Sequence, residues 1–397
     1  MKFKLALMIL LSVLMVKGFS QNTKLGQQAT LNTITTAVPF LMIAPDARSG
    51  AMGDAGVSSS PDVYSMHWNP AKYAFAEKEM GFGISYSPWL KALVPDINLA
   101  YVSFFKRLDS EQTIAASLLY FSLGDINFTN DIGDGIGTYH PNEFSLDFAY
   151  SRKLSENLSA SVAARFIFSD LTQGQFVGGS ETHAGTSYAA DVSFYWRKEV
   201  SFTNTSGLLA FGTNISNIGS KISYGSGEKD FIPTNLRFGP SLTLDLDDYN
   251  AIAFMIDVNK LLVPTPPVYE VDPVTGQPIT GSDGQYVIAA GKNPDVSVIR
   301  GIFQSFGDAP GGFGEEMREF SIGTGVEYWY DKQFALRAGY FHESKSKGNR
   351  KFFTLGAGIK YNVFGLDVAY LIPLEQKHPL ENTLRFSLLF DFDAFSK

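Results

Sequence analysis

The sequence predicts an all-β transmembrane fold: a 14-stranded antiparallel outer-membrane β-barrel with a small N-terminal helical plug. Three observations carry the barrel. Aromatic residues make up 14% of 397, with 33 Phe and 18 Tyr, while charged residues reach only 18%, below the usual quarter. Mean hydropathy is −0.01, and no long apolar run follows the first segment. A spanning helix needs about 18 consecutive apolar residues, so a helical membrane protein is excluded. Finally, apolar and polar residues alternate with period 2 from Glu79 to the end.

The first 20 residues read as a secretory signal peptide. Lys2 and Lys4 form a basic start, Leu5 to Val16 an apolar core, and Gly18-Phe19-Ser20 a small-residue end before Gln21. Cleavage there removes Lys2, Lys4 and Lys17 and leaves 29 basic residues against 40 acidic ones, a net charge of −11. That balance argues against nucleic acid as a partner. With no cysteine, neither disulfides nor thiol chemistry are available.

Residues 21–43 are polar and Thr-rich, and are expected to form a flexible lead-in. Residues 44–76 change character. Ala, Gly and Ser dominate, and two helix starts follow at Ser60-Pro61-Asp62 and Asn69-Pro70, each with a capping residue ahead of a first-turn proline. This segment is expected to be a compact run of short helices and turns, ahead of a barrel over residues 77–397.

Leu384, Phe386, Leu388, Phe390 and Phe392 alternate with Arg385, Ser387, Leu389 and Asp391, one of many such runs. A water-soluble sandwich also alternates. Aromatic residues at strand ends, where interface girdles need them, favour the barrel. The runs lie near 79–87, 96–106, 112–122, 143–152, 157–168, 186–197, 207–216, 233–245, 250–263, 317–329, 333–343, 351–361, 364–372 and 383–392. From the second onward, short and long connections largely alternate, as in bacterial outer-membrane barrels with short periplasmic turns. An even strand count then places both termini in the periplasm.

The longest loop, residues 264–316, holds seven of the 18 prolines and has seven acids against two bases. Asn293-Pro294-Asp295 and Gly307 bracket a short helix whose Ile299, Ile302, Phe303 and Phe306 form one apolar stripe. The stripe either packs on the barrel rim, docks a protein partner or touches the membrane surface. Trp89 and Leu90 of the first outer loop are secondary contact candidates, with a girdle role as their alternative.

No residue set points to catalysis. The five His are dispersed, with no metal-ligand spacing, and no cofactor motif appears. Asp131 and Asp134 lack the distal acid of a calcium loop and fit an Asx turn. Arg165, Arg237, Arg337, Lys360, Asp245, Asp257, Asp367 and Asp391 occupy inward positions, as a lumen network holding plug and wall.

The stretch Ala47-Arg48-Ser49-Gly50-Ala51-Met52-Gly53-Asp54-Ala55-Gly56-Val57, followed by Trp68-Asn69-Pro70-Ala71, resembles the hatch segment of the FadL-type barrel family. That resemblance implies a 14-stranded barrel with a luminal plug over residues 44–76, and assigns Arg48, Asp54, Trp68, Asn69 and Pro70 to the plug. Within that superfamily the chain is similar to the shuttle proteins of the type IX secretion system of Bacteroidetes. The similarity implies three protein partners: a SprA-type translocon, the C-terminal domains of secreted cargo, and a PorU-type sortase attachment complex. The alternative is a FadL-like importer of hydrophobic small molecules, in which Pro240 could kink a strand. A barrel with lipid A–modifying activity would need a Ser-His-acid set, which cannot be placed on one strand end.

Overall fold

The computed structural model describes residues 31–397 apart from 91–93, 95, 130–131, 178–179, 203–204, 226, 228, 376–378 and 393–397. The expected signal peptide and Asp131 lie outside the described residues.

Fourteen antiparallel strands form one closed barrel. They are β1 (Met80–Pro88), β2 (Asn98–Arg107), β3 (Gln112–Ser122), β4 (Asn142–Lys153), β5 (Leu158–Asp170), β6 (Gly185–Phe202) and β7 (Thr205–Gly219), then β8 (Asn235–Asp245), β9 (Asn250–Leu261), β10 (Ser321–Tyr330), β11 (Phe334–His342), β12 (Lys351–Tyr361), β13 (Phe364–Pro373) and β14 (Leu384–Phe392). Closure pairs Met80 with Phe392 and Tyr86 with Phe386, so no edge is left open. The period-2 reading is realised side chain by side chain. Ile84, Phe148, Val162 and Leu336 face outward, while Ser85, Asp147, Ser161 and Arg337 are buried in the lumen.

Two strands differ from expectation. β6 runs on to Phe202, because its hairpin with β7 stays paired beyond the rim as far as Phe202 opposite Thr205. β10 begins at Ser321 rather than near 317, since Met317–Glu319 forms a 3₁₀ turn. Pro240 faces outward, and the β8–β9 pairing lapses at Gly239 and Pro240 without a change of register. This is the cost of a strand residue with no N–H.

The plug fills the lumen with short elements: a 3₁₀ turn at Pro39–Met42, helices α1 (Ala47–Gly50) and α2 (Ser65–Trp68), and a 3₁₀ helix at Pro70–Phe75. Asn69 caps the last of these, accepting a bond from Ala71 N at 3.0 Å, as its Asn-Pro start predicted. The Ser60-Pro61-Asp62 start is not used. The Ser60 hydroxyl accepts from Arg48 Nη2 at 2.7 Å instead of from a helix amide, and the helix begins at Ser65. Gly53 adopts φ 67 where the plug backbone presses on the wall, and a Cβ on Gly339 would collide with the Gly53 amide.

The plug also starts earlier than residue 44. Val38, Phe40 and Leu41 are buried, and the Phe40 ring stacks on Phe121 with centroids 6.3 Å apart. Val38, Phe40 and Leu41 of the lead-in therefore belong to the packed structure. The described part of the lead-in also lies at the long-loop end: Asn32 N donates to Ser346 O and Ala37 N to Phe231 O. Strand parity had placed both termini at the short-turn end, but parity says nothing of a segment that runs through the lumen before β1.

Candidate functional site

At the long-loop mouth, α3 (Val298–Gln304) lies over Phe231 and Pro264. It sits down on its small residues. Gly301 and Ser305 are buried, and a Cβ on Gly301 would stand 3.0 Å from the Phe231 ring. Because that face makes the contact, the apolar stripe points away. Ile299 is 60% exposed, Phe303 74% and Phe306 52%, with Ile302 half-buried. The next turn, α4 (Phe313–Glu316), adds Phe313 and Met317, also exposed. Neither was singled out from the sequence, because the Gly-rich stretch around them carries no helical period. Asn293 makes an Asx turn with Asp295 N at 2.9 Å, and the helix itself starts only after Ser297.

Beneath this surface lies a buried ionic cluster. Lys260 Nζ stands 2.6 Å from Glu319 and 3.3 Å from Glu316, and Lys347 Nζ stands 2.6 Å from Glu315 and 3.0 Å from Glu319. Thr265 donates its hydroxyl to Glu319, and the amides of Asp308 and Ala309 donate to Glu316 at 2.7 and 2.9 Å. Asn32 Nδ2 donates to Glu315 at 2.9 Å, tying the lead-in into the same cluster. Burial raises the Glu315 pKa, but bonds from Lys347, Asn32 and Gly311 outweigh it and hold the carboxyl below its usual value. Burial, with Glu316 and Glu319 nearby, pushes Asp308 up. A buried ion pair is weak evidence of stability but strong geometric constraint, so the last part of the long loop is held in place.

Trp89 and Leu90 lie apart from α3. They are half-buried against Phe341, Phe352, Leu371 and Leu380, and the Arg385 guanidinium sits 5.8 Å from the Trp89 ring.

The plug residues form a single polar network with the wall. Arg48 bonds Glu327 through Nε at 2.8 Å and Nη2 at 2.7 Å, and Arg337 bridges the same Glu327 at 2.9 Å and Asp367 at 2.6 Å. Asp54 lies 3.4 Å from Arg385. Asn69 donates to Val57 O and to Phe194 O of β6, and Pro70 O accepts from Ser151. Trp68 donates to Asp46, while Arg237 stacks over its ring at 4.4 Å. Burial, then the Asp62 charge, pushes Asp46 up to about 6. Burial alike pushes the Lys72 ammonium down to about 8, although it donates to Gly56 O and Ser59 Oγ.

Of the expected inward charges, Arg165 pairs with Asp147 and Asp191, Lys360 with Asp391, and Asp257 accepts from Gly56 N and Val57 N. Asp245 is the exception: it ends β8 at the short-turn rim, exposed, accepting from Ser206 at 3.0 Å. Arg385, buried and reaching Asp54, belongs to this network and was not among the charges singled out.

A family model described as "Type IX secretion system protein PorV" matches residues 26–268, more than half of the chain. No curated protein sequence matches. Among solved structures, the Pseudomonas putida toluene transporter TodX is 12% identical, with a TM-score of 0.46 and 91% of this chain and 98% of that chain covered. The Ralstonia pickettii toluene transporter TbuX is also 12% identical, at a TM-score of 0.46, covering 87% and 98%. A Pseudomonas aeruginosa FadL homologue is 11% identical, at a TM-score of 0.41, covering 91% and 99%.

Proposed function

The chain belongs to the PorV family of type IX secretion system proteins, and from that premise we propose that it is the docking and shuttle subunit of this outer-membrane machinery. In this reading it caps a SprA-type translocon, accepts secreted cargo through the cargo's C-terminal domain, and delivers it to a PorU-type sortase attachment complex. The long loops then face the cell exterior, and the short turns and the end of β14 face the periplasm. The barrel wall meets outer-membrane lipid.

One observation carries the proposal. The longest loop is not a solvated tether: a buried ionic cluster anchors it, and it holds Ile299, Phe303 and Phe306 toward solvent. An exposed apolar group on a rigid support is costly to maintain without a partner, and preorganisation lowers the entropy lost on binding. Import of a hydrophobic small molecule is less well supported. The lumen beside the plug is lined by Ser103, Ser151, Ser193, Asp257 and Arg337, which suit bolting more than apolar passage.

A mild-detergent pull-down of the tagged chain from its own outer membrane tests this, comparing wild type with a deletion of Asn293 to Gly307. Recovery of a very large barrel partner and secreted cargo, weakened by the deletion, supports the proposal. Partners that persist after deletion move the docking site elsewhere. A lone barrel carrying only lipid overturns the shuttle reading.

A further inference from the structure

The opposite end of the barrel carries a separate feature. There the short-turn rim carries an open depression of about 680 Å³, lined in part by Phe75, Glu111, Arg152, Lys153, Glu156 and Arg197. Its floor is Phe75, the last residue of the plug's 3₁₀ helix, only 4% exposed. The Arg197 guanidinium carbon sits 4.3 Å from the Phe75 ring centroid, and Lys153 Nζ sits 5.3 Å from it. Arg107 joins them, donating to Ala76 O at 3.2 Å. Arg107, Lys153 and Arg197 share the strand parity of Phe105, Ser151 and Tyr195, which are buried in the lumen. Two cations from two strands thus converge on one aromatic floor, with Arg107 of a third strand beside it.

Their charges are poorly answered. Among the described ion pairs none engages Lys153 or Arg197, and a ring face satisfies a cation only weakly compared with a carboxylate. An ammonium has three donors and a guanidinium five, so most remain free in the depression. The acids lie at the lip instead. Glu111 pairs with Arg152 at 3.6 Å with both side chains about half exposed, and Glu156 is exposed in the turn between β4 and β5. The potential is therefore graded, positive at the floor and mixed at the rim. A dense polyanion meets repulsion at the lip, whereas a single carboxylate beside a basic residue matches both levels. The volume far exceeds one small anion and suits a few residues of extended chain.

We propose that this vestibule binds a peptide segment that inserts one acidic side chain between Arg197 and Lys153 and presents a basic residue to Glu111 and Glu156. It lies on the end opposite the α3 surface and does not depend on the shuttle reading.

The test uses the full chain in mild detergent and two fluorescein-labelled peptides, Gly-Glu-Lys-Gly and Gly-Gln-Lys-Gly, read by fluorescence anisotropy. The Glu peptide is expected to bind about tenfold more tightly than its neutral isostere, since charge-assisted bonds exceed neutral ones by this order. The preference should vanish in K153Q/R197Q, with circular dichroism and heat-modifiable gel mobility unchanged. Should the double variant fail to assemble, K153Q alone serves, with a smaller loss expected. Equal binding of the two peptides, or a preference that survives the substitutions, overturns the proposal. Inorganic phosphate binding at the same residues without peptide binding overturns it in favour of a small-oxyanion site.

Discussion

Lys260 Nζ lies 2.6 Å from Glu319 Oε2 with each side chain 1% exposed, so a buried charge pair joins one strand of the barrel wall to the end of its longest loop. Lys260 has the parity of Phe254 and Ile256, which face outward, and it is buried because residues 306–320 fold across it. The pair decides whether the loop is a tether or a platform.

Replacing Lys260 with Met should release that platform. Glu316 loses an ion-pair partner, and Glu319 keeps only Lys347 and Thr265. Breaking one side of a buried pair typically costs about 3–5 kcal/mol. Hydrogen exchange over residues 307–320 should accelerate by at least about a hundredfold, while the strands stay protected. Unchanged exchange in that segment would remove the anchor from the account.

Acid should loosen the same anchor. The folded pKa of Glu315 lies below the ordinary 4.5, so its contribution is fully present above 4.5 and is lost as pH falls through the folded value. Asp308 acts in the opposite sense, since burial raises its pKa and protonation relieves it. Exchange measured from pH 7 down to pH 3 should therefore show loop opening confined to the range below 4.5. In E315Q that acid-induced step should shrink.

The exposed stripe should matter for binding and not for folding. Ile299→Ser with Phe303→Ser removes side chains with little burial, so stability should change by no more than about 0.5 kcal/mol per site. If these residues anchor a partner, its capture should fall by tenfold or more. Retained capture at unchanged stability would show that the stripe has another purpose.

Arg48 makes a comparable demand inside the lumen. Arg48→Leu leaves Asp62 without its pair, and Glu327 keeps only Arg337. The plug should loosen by about 3 kcal/mol, and single-channel recordings in planar bilayers should show raised, noisy conductance against a quiet wild type. A silent R48L channel would mean that the serine and backbone bonds suffice to hold the plug.

How legible was this arrangement? The strands were readable because a half-buried strand must alternate, and Phe353 to Tyr361 does so without a break. The inward face followed, since shifting the alternation by one residue would turn Asp367 and Arg337 toward lipid. The Asn69-Pro70 start was readable because capping is local chemistry. The Ser60-Pro61-Asp62 start misled, because Arg48, twelve residues away, bonds the Ser60 hydroxyl that would have capped it.

The amino-acid sequence alone determined the barrel, its strand count and faces, the short helices ahead of it and the existence of an apolar stripe on α3. All of these depend on periodicities and caps within about ten residues. Only the tertiary structure decided that α3 rests on Gly301 and Ser305 and turns Phe303 outward. It alone folded the loop over Lys260 and carried the lead-in to the long-loop mouth. Those outcomes depend on which third element covers a face, and pairing between residues more than 50 apart leaves no local periodic trace.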